Sequence, residues 1–224
     1  MRTARYSDGF EARMNVSVFR ADGSRVTSFK LAVIGQVGES GQRLLLRGIT
    51  PEKVRNRFVA AEKRAGGPIR AIAYTDAAGG SEKADPAAKL FDSGMVLWEM
   101  FAPWWNWGKQ NLVETDTVAG RSCTVVRSQT DESAAPIREV VSCVDPGAKL
   151  SLRTQLFDRQ HALVRTISVE KLVRKGSGAM AAKRMTITEA DDTVTEVEVY
   201  SGDEHYRITA DTFAALEPHR GISK

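Results

Sequence analysis

"CVDPGAKLSLRTQLFDRQHALVRTISVEKL" (residues 143–172) alternates apolar and polar side chains on both sides of one polar break. Leu150, Leu152 and Leu156 recur at even positions before "DRQHA" (158–162), and Leu163, Ile167, Val169 and Val173 recur at odd positions after it. In an extended chain successive side chains point to opposite faces, so a period of two predicts two β-strands, near 149–157 and 162–173, joined by a turn.

The same rhythm runs outward in both directions. Downstream, "RKGSG", "EADD" and "SGDE" punctuate strands expected near 181–189, 193–200 and 204–209, with Met185, Ile187, Val197 and Val199 in phase. Upstream, strands are expected near 110–117, 121–129 and 137–144. At the amino-terminal end Phe10, Ala12, Met14, Val16 and Val18 share one face, opposite Glu11, Arg13, Asn15 and Ser17. "ADGS" (21–24) then turns the chain into 25–35, and "QRLLLRGIT", "RNRFVAAEKR" and "IRAIAYTD" follow as short apolar runs. Strands joined by such short turns pair antiparallel, and about ten or eleven of them make one large, strongly curved sheet. The expected class is mainly β (α+β): an open half-barrel of about 10–11 strands with a helical lid. No Gly/Ser linker or composition shift divides the chain, so residues 1–224 read as a single domain.

One stretch breaks the pattern. "SEKADPAAKLFDSGMVLWEMFAPWWNWG" (81–108) holds all four tryptophans, Trp98, Trp104, Trp105 and Trp107. Asp92 or Ser93 is placed to cap a helix in which Met95, Trp98 and Phe101 share a face beside Leu97 and Met100. Pro103 stops or bends it, leaving the last three indoles on irregular chain. A wide sheet that is apolar on one face needs covering, and this lid, about 84–108, is the one convincing helix available. Its indoles serve either as the plug of a packed core or as the lining of a cavity beside the lid.

Cys123 and Cys143 lie on two β-branched segments joined by "TDESAAP" (130–136). A hairpin centred on Ser133 sets Arg127 against Glu139, Val125 against Val141, and the two thiols against each other. Opposed Cα atoms at a non-hydrogen-bonded site are about 4.5 Å apart, within reach of a disulfide. A disulfide places the chain in an oxidising compartment, whereas two buried unreactive thiols fit a cytosolic sheet.

Composition removes several classes. The 224 residues carry 32 basic and 28 acidic side chains for a net charge of +4, mostly interleaved. The local excess at 52–70 (Lys53, Arg55, Arg57, Lys63, Arg64, Arg70) reads as a solvated face ahead of a contact for anionic lipid or an acidic partner. No zinc-finger spacing or aromatic–basic motif points to nucleic acid. No run reaches the roughly 18 apolar residues of a transmembrane segment. The three histidines fall in turns or the tail: His161, His205 and His219. No nucleophile elbow, metal-ligand spacing or phosphate loop is present, so neither enzyme chemistry, metal nor cofactor is expected.

"VAGRSCTVV", the 143–172 stretch, and "AKRMTITEADDTVTEVEVYSGDEHYRITADTF" (182–213) together resemble the periplasmic outer-membrane lipoprotein-sorting family, LolA-like in the broad sense. The resemblance rests on the V-A-G-R-x-C-x-V rhythm, on V-D-x-x-x-x-L-x-L-R running into Phe157-Asp158, and on the closing I-x-x-D-x-F of Ile208, Asp211 and Phe213. It implies an unclosed antiparallel barrel with a helical lid over an apolar cavity, in an exported protein whose signal is removed ahead of Met1. The helix usual before the family's first strand is absent or truncated, since strand-like alternation begins at Phe10, and the tryptophan density exceeds the family's.

On that resemblance the chain reads as a non-enzymatic periplasmic carrier of a lipid or lipoprotein acyl chain between the inner and outer membranes. An inner-membrane exporter of the RND type and an outer-membrane acceptor are the implied partners. The expected cavity lining is Trp98, Phe101, Trp104, Trp105 and Trp107, with Phe91, Met95, Leu97 and Met100. Phe10, Met14 and Val16 come from the first strand. The alternative is a periplasmic interaction module, a stress sensor or exporter accessory, with an exposed tryptophan patch and no cargo.

Overall fold

Alternation becomes pairing in the computed structural model, which describes residues 9–75, 81–132 and 135–217. The strands are β1 (Phe10–Phe19), β2 (Arg25–Gly38), β3 (Gly41–Thr50), β4 (Arg57–Arg64), β5 (Ile69–Thr75), β6 (Ser81–Lys83) and β7 (Lys109–Val118). Then come β8 (Arg121–Gln129), β9 (Glu139–Asp145), β10 (Leu150–Phe157), β11 (Leu163–Arg174), β12 (Met180–Glu189) and β13 (Val194–Asp203). Two four-residue helical turns, α1 (Glu52–Arg55) and α2 (Leu97–Met100), and two 3-10 segments, Pro103–Asn106 and Ala210–Leu216, complete the described elements.

The thirteen strands form one sheet in the order β6-β5-β4-β3-β2-β1-β13-β12-β11-β10-β9-β8-β7. Every neighbour is consecutive in sequence except β1 beside β13, and β6 and β7 are free edges, so the sheet is open and not a barrel. β-bulges shift the register at Lys30/Leu31, Leu112/Glu114, Ser151/Arg153, Leu156/Phe157 and Val169/Lys171. Each adds twist and bends its strand, which is how a sheet this wide curves.

The strand count exceeds the expected ten or eleven, and one expected strand is absent. Residues 204–209 leave the sheet after Asp203: Tyr206 and Ile208 pack into a core cluster while their backbone pairs with no strand. Alternation there reports an extended chain, not a ladder. The short β6, at the start of the stretch that breaks the alternation, is a strand the periodicity did not predict.

By its internal contacts the chain falls into two units, each with its own core. The second unit holds Phe29–Ala88 with residues 9–14 and 200–217. Ile34, Leu45 and Ala60 of β2–β4 meet Phe213 and Leu216, with Phe58, Ile72 and Tyr74 around them. Phe58 and Tyr74 oppose each other across β4 and β5 with stacked rings, centroids 4.9 Å apart. Arg43 lies over the Phe213 ring at 4.9 Å, and Arg70 donates to the Leu216 carbonyl. The carboxy-terminal Ile208…Phe213 signature is thus a clamp on this sheet. α1 needs Gly48, because a Cβ there would stand 1.9 Å from the Val54 carbonyl oxygen. Lys53, Arg55, Arg57, Arg64 and Arg70 are exposed, as expected of a solvated face.

The first unit holds Asn15–Ser28 and Lys89–Val199. Cys123 and Cys143 are joined by a disulfide, with Cα atoms 5.3 Å apart, inside a cluster with Val125 and Leu152. Over a sequence separation of 20 such a closure contributes about 3 kcal/mol in the chain-entropy model. The hairpin register differs from the expected one. Gln129 pairs with Glu139 and Val125 with Cys143, so Cys123 reaches its partner diagonally. A hydrogen bond of 2.6 Å from Gln129 Nε2 to Glu139 Oε2 accompanies that register, and Arg127 reaches Glu139 diagonally at 3.7 Å. Ser133, the expected turn centre, lies outside the described residues.

Candidate functional site

The tryptophan segment is less regular than its sequence predicts. Instead of starting a helix, Ser93 closes a tight loop: its Oγ donates to the Leu90 carbonyl at 2.6 Å and accepts from Met95 N at 3.3 Å. Leu90 N returns to the Met95 carbonyl at 2.8 Å, and Lys89 bridges Val96. Phe91 and Asp92 sit in the left-handed region, at φ 53° and 56°. The cause is Gly94, whose N–H donates to Thr195 Oγ1 at 2.8 Å and whose carbonyl accepts from Arg165 at 2.9 Å. Pinned to β11 and β13, this backbone does not coil, so the helix is confined to the four residues of α2. Ala102 at φ 42° ends it, and Pro103 opens the 3-10 turn that carries Trp104 and Trp105.

The four indoles meet on the sheet. Trp104 is buried against Ile137, Val140 and Leu156, and Trp98, Trp105 and Trp107 pack around that cluster with Ala102, Val164 and Ile167. Trp98 lies 5.7 Å from Trp104 and 6.2 Å from Trp107, and Trp104 lies 6.5 Å from Trp105, all tilted. Such tilts and separations suit aromatic pairs. Gln110 ties the segment's far end, donating to the Trp104 carbonyl at 3.1 Å.

Of the other expected lining residues, Phe91, Met95, Leu97, Phe101 and Val16 are buried in the same unit, and Met100 is half-buried. Phe10 and Met14 belong to the second unit, where the Phe10 ring covers Gly35. A cleft of about 660 Å³ also lies in that second unit, lined by Gln36, Arg43, Glu62, Lys63, Arg64 and Glu217. Its mixed charges do not suit a hydrocarbon.

Sequence periodicity passed over a buried polar network. Glu99 of α2 faces Arg165 of β11, Oε1 to Nε 3.3 Å, with both side chains nearly buried. Glu189 of β12, paired with Arg165 across the strands, takes Lys89 as its own partner. Burial pushes the Glu99 carboxyl up to about 7; Arg165 opposes the rise and Glu189 adds to it. The signal was in the sequence: Arg165 and Glu189 occupy core-facing phases of alternating strands, two residues from Ile167 and Ile187.

The arrangement offers an apolar surface and a buried ion-pair network. His161 and His205 are exposed, and His219 lies outside the described residues. Among the described residues no three His, Cys, Asp or Glu side chains gather as a metal site, and no helix is long and apolar enough to cross a membrane.

No protein-family model and no curated protein matches the sequence. Solved structures do match the fold. An outer membrane lipoprotein-sorting protein domain from Vibrio parahaemolyticus aligns with TM-score 0.83 at 14% identity, over 93% of this chain and 90% of that one. A DUF1329 family protein from Desulfovibrio piger aligns with TM-score 0.82 at 13% identity, over 94% and 92%. A LolA superfamily protein from Nitrosomonas europaea aligns with TM-score 0.72 at 11% identity, over 93% and 91%. The chain therefore has the LolA-like fold that its strand and turn signatures implied.

Proposed function

We propose that this chain is a non-enzymatic periplasmic carrier that holds an acyl chain of a lipid or lipoprotein between its tryptophan segment and strands β9–β11. The observation that carries the reading is the gathering of four indoles over one apolar sheet face by a segment with almost no regular structure. A plain core plug is made more cheaply by an ordinary amphipathic helix. This segment instead holds three non-glycine residues at positive φ, and such strain collects where a backbone serves function. In the proposal residues 84–108 are the lid of a single-domain carrier, and an acyl chain replaces the sheet as the indoles' packing partner. Each methylene buried contributes about 0.8 kcal/mol, so a few exceed what a single polar contact gives. The disulfide supports an oxidising compartment. In the proposal an inner-membrane exporter and an outer-membrane acceptor give the transfer its direction.

A second reading, an interaction module without cargo, draws on edge strand β7, where Leu112 is 76% and Val113 48% exposed. Protein purified from the periplasm without detergent separates the two by organic extraction and mass spectrometry. The carrier yields acyl lipid at close to one per chain. Preparations that stay lipid-free after incubation with phospholipid vesicles favour the module.

A further inference from the structure

Three buried polar atoms of the first unit have no hydrogen-bond partner: Trp104 Nε1, Ser128 Oγ and Ser142 Oγ, each sealed from solvent. They share one face of the first unit. Ser128 stands directly opposite Val140, and Ser142 opposite Val126 and Thr154. Val140 and Leu156, which pair with each other, are the residues that pack on Trp104. Thr154, on the same face, is already engaged with Ser151 Oγ at 2.7 Å. Two further unpartnered atoms, Arg165 Nε and Glu189 Oε1, belong to the Glu99 network, where opposite charges face them.

Buried hydroxyls and indole N–H groups almost always find partners, because water is lost to them and nothing apolar replaces it. Alanine at 128 and 142 would serve a plain core better. We propose that Trp104, Ser128 and Ser142 form a polar subsite for the neutral carbonyl of an acyl ester or amide, fixing the head of the chain whose tail the indoles cover. The inference rests on the carrier reading and deepens it. The chemistry selects the class: an indole N–H only donates, hydroxyls donate or accept, and the trio holds no cation. A carbonyl oxygen with two lone pairs satisfies Trp104 and one serine, whereas a carboxylate or phosphate would bring a charge that nothing in the trio balances.

The test compares methyl palmitate with hexadecane, probes of similar chain length with and without a carbonyl. Binding of each is measured by tryptophan fluorescence for the wild type, Ser128→Ala/Ser142→Ala and Trp104→Phe. The wild type is expected to bind the ester about tenfold or more tightly than the alkane. The serine double variant loses that preference and keeps its alkane affinity. Its melting temperature rises by about 2–4 °C, since two unsatisfied groups are gone. Trp104→Phe keeps an aromatic ring without the N–H and is expected to narrow the ester's advantage over the alkane, read as the ratio of the two affinities because the smaller ring weakens contact with both probes. Equal binding of both probes by the wild type overturns the subsite and leaves the carrier standing, as does a preference that survives in the double variant. Failure of both probes to bind overturns the carrier reading together with it.

Discussion

Phe213→Ala is expected to destabilise the second unit by about 3–5 kcal/mol, the range for truncating a buried aromatic to alanine. Phe213 is 2% exposed and is the side chain through which the Ala210–Leu216 segment enters the core of β2–β4. Its ring also carries the Arg43 guanidinium, so truncation removes a cation–π partner as well as apolar contacts. Without it, Leu216, Ala215 and the Arg70 bond to the Leu216 carbonyl would be left to hold the segment. Hydrogen exchange resolves the effect within one unit: protection of β3 and β4 amides should fall by about two to four orders of magnitude. Leu112→Ala, on a side chain that is 76% exposed, is the control and should change stability by less than about 0.5 kcal/mol. A Phe213 variant as stable as that control would show that the clamp does not hold the sheet.

The second large effect is a pH dependence with an unusual sign. Glu99 has an ordinary value of 4.5 and is pushed up to about 7 by burial, so the fold favours its protonated form. The folded chain then binds more protons than the unfolded one between those values, and stability falls as pH rises across that window. The stabilisation is fully present below 4.5 and lost on passing through about 7, amounting to about 3 kcal/mol. Asp116, Asp131, Asp145 and Asp191 are held below their usual 3.8, and their contribution is lost only as pH falls under that value, so the two windows separate. Denaturant midpoints at pH 5 and pH 8 test the point. The wild type should lose about 3 kcal/mol more than Glu99→Gln, whose amide does not titrate. Equal slopes would assign the network no role. Because opening the tryptophan segment would return Glu99 to water, acid should also favour the docked segment.

How much of this was legible depends on which interaction sets each element. Period-two alternation placed the strands from β7 to β13 within a few residues, because the side-chain pattern and the ladder have the same period. It misread 204–209, where Tyr206 and Ile208 alternate into a core without a strand beside them. The fold signatures at 121–125, 143–172 and 208–213 were legible for the same reason: turn chemistry and core positions are local. The loss of the helix expected after Asp92 was not, because Gly94 is fixed by Arg165 and Thr195, 71 and 101 residues away in sequence and outside any local window. The cysteine pairing was readable and its register was not, since two residues of slip keep every side chain on the same face. The tryptophan cluster announced itself by composition, whereas Glu99, Ser128 and Ser142 became visible only when the register showed which face they occupy.

The central claim is that hydrocarbon enters beneath the indoles. Phospholipids brominated at mid-chain test it directly, because bromine quenches tryptophan only at contact and every tryptophan lies between Trp98 and Trp107. The account predicts saturable quenching by a mid-chain-brominated lipid, strong relative to quenching by a lipid brominated in its headgroup. Emission that is unchanged by either lipid, or quenched equally by both, would contradict it.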